Sequence, residues 1–246
     1  MQIRNKKVFY TLSESTILIK TKINLRPETK SVILIMITML LFSVQDAIAK
    51  HLVQTYPPIQ VVWSRYISQT LATFVILFPV ITRVLITNNI KIQMVRSTFL
   101  FLATFCFFSS IKYLQLAQVN AIFQLAPLIV TILSFVLLKE AVGKRRWSGV
   151  AAGLTGALLI IRPGSSEFSL NMCLPALAAM SYASYLVTTK YLSKNESPAT
   201  NFLYTSLIGA IISSILVPST WIPIAPGDLF VFGTFGLLGA LGHLLI

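Results

Sequence analysis

The chain is 246 residues long, 55% apolar and only 11% charged, a balance that leaves too little polar side chain to cover a water-facing fold and excludes an ordinary soluble domain. Its 20 Lys and Arg against 7 Asp and Glu give a formal net charge of +13, but the basic residues stand in short clusters between long apolar runs. A nucleic-acid surface would gather them on one polar patch, so that partner is excluded as well.

Taken in chain order, residues 1–30 form a basic tail with Arg4, Lys6, Lys7, Lys20, Lys22, Arg26 and Lys30 and no apolar core long enough for a cleavable signal peptide. Eight apolar runs follow, at 31–53, 59–82, 97–114, 118–138, 147–162, 170–189, 199–218 and 229–246. Each approaches the roughly 20 residues that a helix needs to cross the hydrocarbon, where backbone groups must pair within the segment. The fold class is therefore all-α integral membrane. The fifth run, WSGVAAGLTGALLIIR, is short, and its Gly149, Ala152, Gly153 and Gly156 predict close packing against another helix. Cys106 and Cys173 lie in apolar context with no partner at metal-ligand spacing and read as small hydrophobes; no metal and no cofactor is expected.

Loops with retained positive charge face the cytoplasm. The tail, the loop after span two (Arg83, Lys91, Arg96), the loop after span four (Lys139, Lys144, Arg145, Arg146) and the segment after span six (Lys190, Lys194) are basic, whereas TYPP at 55–58 and residues 219–228 carry no Lys or Arg. The N-terminus is expected inside, as a cytoplasmic tail.

Shifting the chain by 140 positions places Lys50 on Lys190, Leu52 on Leu192 and Pro58 on Pro198, each between apolar helices. Spans one and two then fall on six and seven. A unit of five spans is odd, so its second copy enters the membrane from the opposite side, giving the inverted repeat characteristic of secondary transporters. Residues 31–170 form the first unit and 171–246 an incomplete second of three helices, so about eight helices of a ten-helix (5+5) design are expected, with the C-terminal end truncated.

DAIAKHL (46–52), VVWSRY (61–66), AIFQLAPLIVTILSFVLLKE (121–140), AGLTGALLIIRPG (152–164) and LGALGHLL (238–245) resemble the EamA-like family of the drug/metabolite transporter superfamily. That resemblance implies ten helices in two inverted repeats around a central cavity, and movement of small metabolites across the bacterial inner membrane. The ninth and tenth helices of that pattern have no counterpart in this sequence.

Polar groups at membrane depth are costly and mark candidate sites. Asp46 and Lys50, four apart, share a helix face, and Arg65 lies at a similar depth on the next helix. They form either a fixed ion pair or a charged vestibule for an anionic or zwitterionic substrate. Pro127 predicts a kink in span four that frees the carbonyl of Phe123, with Asn120 and Gln124 presenting amides on one face. Tyr182 and Tyr185 in span six and Tyr204, near Asn201 and Thr205, in span seven could converge on the same cavity. Asp46 and His243 are candidates for proton coupling, though a packing role for His243 stands beside that reading. Glu140 is read as pairing with Lys144 at the interface.

The function expected is a secondary transporter moving a small organic metabolite by alternating access, with a small-molecule substrate and the lipid bilayer as partners and a homodimer left open. A truncated or non-transporting scaffold is the alternative. An integral-membrane enzyme is disfavoured because no HExxH motif, Ser/His/Asp set or carboxylate pair occurs, and a nucleotide-driven pump because no GxxxxGK[ST] loop does.

Overall fold

A computed structural model describes residues 27–161, 169–193 and 196–244, and every regular element among them is helical. The helices are α1 (Pro27–Thr55), α2 (Pro58–Leu77), α3 (Ile81–Val84), α4 (Ile90–Tyr113), α5 (Leu116–Phe123), α6 (Ala126–Leu138), α7 (Lys144–Ile161), α8 (Cys173–Leu192), α9 (Pro198–Leu216) and α10 (Leu229–Leu244). Most of the basic tail and the Arg162-Pro163-Gly164 stretch lie outside the described residues.

Local chemistry sets several ends. Pro58 and Pro198 each open a helix in the first turn, where the missing N–H is one of the unpaired donors anyway. The Ser197 hydroxyl accepts from the Thr200 N–H at 3.0 Å, and Gln115 and Gln118 close a reciprocal cap at the start of α5. Lys139 ends α6 in the left-handed region, at φ 53°.

Among the described residues, six of the eight expected spans are helices long and apolar enough to cross a membrane: Ser31–Thr55, Pro58–Val84, Ile90–Tyr113, Leu116–Leu138, Leu170–Leu192 and Pro198–Thr220. The eighth run lies in a shorter apolar helical stretch, Pro226–Gly242. The fifth run is α7, whose helix begins three residues earlier than expected and so takes in Lys144, Arg145 and Arg146. Three cations are poorly tolerated in a spanning stretch of that length.

The helices pack most extensively as α4 against α8 and α2 against α9, followed by α2 against α10, α4 against α9, α1 against α10 and α6 against α8. The shared core includes Ala49, Leu52, Tyr66, Phe108, Ile111 and Phe235. Gly209 allows α9 to meet α2, because a Cβ there would overlap the Tyr66 ring. The small-residue stripe of α7 is used only in part: a Cβ at Gly153 would strike Leu128, whereas at Gly149 and Gly156 it would meet nothing within 4 Å.

Cross-loop contacts sort the turns into two ends. Glu196 accepts from Thr87 Oγ1 at 2.7 Å and Asn88 N at 3.2 Å, and Lys190 pairs with Glu140 at 2.6 Å. The turns near 85–89, 140 and 196 therefore share one end, which is the basic one. At the other end, Tyr56 donates to Asp228 Oδ2 at 2.7 Å and accepts from Ala225 N at 3.0 Å. The partner of Glu140 is thus Lys190, not Lys144 one helical turn along its own chain segment.

Candidate functional site

α1 brings Asp46 to the wall of a cavity of about 540 Å³, and α5 with the residue after it contributes Asn120, Phe123 and Gln124, with Phe42 and Ser43 also in the lining. The regular hydrogen bonding of the fourth run is interrupted here: α5 ends at Phe123 and α6 begins at Ala126, with Pro127 in the first turn of α6. Gln124 and Leu125 keep right-handed helical dihedrals, so the run stays one helical stretch with a local irregularity just before the proline. The Gln124 N–H still reaches Asn120 O at 3.1 Å. Polar side chains beside an irregular turn of a membrane helix are a recurrent way of building a solute site.

Asp46 is half-buried and has no basic nitrogen within 4 Å among the described residues, although Arg65 acts on it at Coulombic range. Arg65 instead donates to Thr104 Oγ1 at 3.3 Å and lies 5.8 Å from the Phe108 ring centroid, while its buried Nε has no partner. Lys50 turns away from Asp46. Its ammonium donates to Ile111 O and, at 3.0 Å, to Leu114 O, capping the end of α4.

The two tyrosines of α8 join the cavity wall to the interior. Phe123 meets Tyr182 at 5.4 Å between centroids, Tyr182 stacks on Tyr185 at 5.9 Å and 27°, and Phe107 closes on Phe123 at 5.3 Å. Tyr204 is elsewhere: its hydroxyl donates to Leu85 O at 2.9 Å and ties α9 to the turn before α4. His243 lies in α10, and its side chain is outside the described part of the structure.

Two polar arrangements escaped the sequence reading. Arg96, assigned there to a loop, sits inside α4, which begins seven residues earlier than the apolar run. It is 2% exposed and binds Thr189, Gln93, Asn201, Thr205 and Tyr185. Asn89 ahead of the apolar Ile90 and Ile92 was the available signal for the earlier start. The second is a latch at the other end. Gln60, fully buried, donates to Ile222 O at 2.8 Å and accepts from Ile222 N at 3.1 Å, and Trp63 donates to Ser214 Oγ at 3.0 Å beside Trp221. The segment linking α9 to α10 is thereby fastened over α2.

Residues 29–162 match the EamA-like transporter family. The chain is 36% identical over 101 residues to a riboflavin transporter of Vibrio cholerae serotype O1, covering 41% of this chain and 34% of that protein. It is 28% identical over 160 residues to a riboflavin transporter of Brucella anthropi, covering 65% of this chain and 56% of that protein. An S-adenosylmethionine uptake transporter of Rickettsia bellii is 23% identical over 206 residues, 83% of this chain and 69% of that protein. The chain thus spans about a third of the first of these relatives and just over half of the second.

Proposed function

This chain belongs to the EamA-like transporter family, and we propose from that premise that it is a carrier, not an enzyme, moving a small organic solute across a bacterial inner membrane. The observation that carries the reading is the meeting of Asp46, Asn120 and Gln124 on one cavity beside the irregular turn of a membrane helix. Such a cavity offers one carboxylate and two amides within apolar walls, a set that orients a polar solute without reacting with it. The ring cluster of Phe123, Tyr182 and Tyr185 favours a planar ring system. Riboflavin, which names two of the relatives, is the first solute to try.

Alternating access is carried by two inverted units, residues 31–170 and 171–246, with the N-terminus cytoplasmic. The packing supports this pairing. Exchanging spans one, two and three with six, seven and eight turns α4·α8 into α10·α1 and α2·α10 into α9·α4, and leaves α2·α9 unchanged; all five contacts are present. The same exchange carries the packing of α5 and α6 on α8 to the free side of α1. A groove of about 520 Å³ lies there, lined by Leu40, Val44, Ala47, Ile48, His51 and Val231.

The test is flux into proteoliposomes carrying the purified chain, with riboflavin and S-adenosylmethionine in a wider metabolite panel. Saturable, solute-specific uptake is expected. Empty-liposome rates for every solute would reject the carrier reading.

A further inference from the structure

Among the described residues, Arg96 is the one charged side chain that is almost wholly buried. Its Nε donates to Thr189 Oγ1 at 2.7 Å, and its Nη1 is shared among Gln93 Oε1 at 3.2 Å, Asn201 O at 3.0 Å and Thr205 Oγ1 at 2.9 Å. Nη2 has two hydrogens and a single protein acceptor, the Tyr185 hydroxyl at 3.2 Å. Every one of these acceptors is neutral, and no carboxylate lies within 4 Å among the described residues. The donors are largely satisfied, but the positive charge is not neutralised, an expensive arrangement for a residue that only joins helices.

Its position is the second observation. The Arg96 guanidinium lies 4.8 Å from the Tyr185 ring centroid, Tyr185 stacks on Tyr182, and Tyr182 meets cavity-lining Phe123. A chain of ring contacts, tilted between Phe123 and Tyr182 and stacked between Tyr182 and Tyr185, therefore leads from the cavity to a buried cation at the junction of α4, α8 and α9, toward the basic end. Only arginine combines a flat face that stacks with a fork that grips two oxygens.

We propose that Arg96 is a specificity-determining residue at the far end of this aromatic run, selecting planar ring solutes whose edge carries carbonyl or carboxylate oxygens. The assignment rests on the carrier reading above. In this packing, oxygens of α8 and α9, together with Gln93 of α4 itself, occupy the guanidinium; when α4 parts from α8 and α9 during alternating access, the solute edge takes their place while its ring lies on the tyrosines.

Riboflavin, with two carbonyls on one ring edge, is the probe, bound to the full chain in nanodiscs and followed by flavin fluorescence. Benzoate and benzylamine, rings bearing an anion and a cation, serve as competitors. The wild type is expected to bind riboflavin and to prefer benzoate. Arg96→Gln weakens riboflavin at least about tenfold and removes the benzoate preference. Arg96→Lys keeps the charge and so part of that preference, but loses the fork and weakens riboflavin similarly. Leu158→Ala, on the exposed face of α7, changes neither quantity. Should Arg96→Gln not fold, Arg96→Lys together with Tyr185→Leu, which removes the stacking face, decides the matter through the same two readouts. A structural Arg96 would lower both competitors together and leave their ratio as in the wild type, which overturns the assignment, as does failure of the wild type to bind riboflavin. Riboflavin flux by the wild type with an unchanged ratio in Arg96→Gln rejects the role of Arg96 and leaves the carrier standing.

Discussion

Lys50 and Arg96 each meet partners that linear spacing does not suggest. Lys50 shares a helix face with Asp46, but its four-carbon stem is long enough to reach the unpaired carbonyls at the end of α4, and it binds two of them. Arg96 lies at the edge of an apolar run and reads as a loop cation; the helix extends past it, and neighbouring helices close over it. Neither outcome follows from hydropathy, because both depend on what stands opposite the side chain. Glycines give a sharper case. At Gly209→Ala the new methyl would collide with the Tyr66 ring, and a loss of about 1–3 kcal/mol is expected by thermal or denaturant unfolding in detergent. Gly149→Ala meets open space, and removing a flexible residue from mid-helix should leave stability unchanged or raise it by up to about 1 kcal/mol.

Among the elements, the fourth run shows how far pattern reading reaches. The apolar stretch and its proline were legible, as were the polar positions Asn120 and Gln124 that now line the cavity. The irregularity falls just before Pro127, and α5 and α6 on its two sides both pack on α8. Pro127→Ala should favour one regular helix, holding or raising the unfolding temperature while lowering solute flux in proteoliposomes; flux at the wild-type rate would show that the irregularity is dispensable. The latch at the non-basic end was invisible in sequence, since Gln60 and Ile222 are 162 residues apart. Gln60→Ala would strip both backbone groups of Ile222 of their partner, and a loss of about 2–3 kcal/mol is expected in the same unfolding measurement.

For the molecule as a whole, the alternation of ends follows from counting spans, and the contacts joining Tyr56 to Asp228 and Thr87 to Glu196 place the turns accordingly. Cysteines introduced at 57 and 87 should therefore react with an impermeant thiol reagent from opposite faces of a vesicle. Labelling of both from one face would contradict the arrangement. An all-helical membrane protein was determined by the sequence alone, because a backbone in hydrocarbon must bond within its own segment and the apolar runs are long enough to do so. The tertiary structure alone decided which polar groups come together: Asp46 on one cavity with Asn120 and Gln124, Lys50 with the end of α4, and Arg96 with α8 and α9. Those arrangements join distant parts of the chain, fixed by how helices pack and by where each one begins, and local periodicity carries neither kind of information.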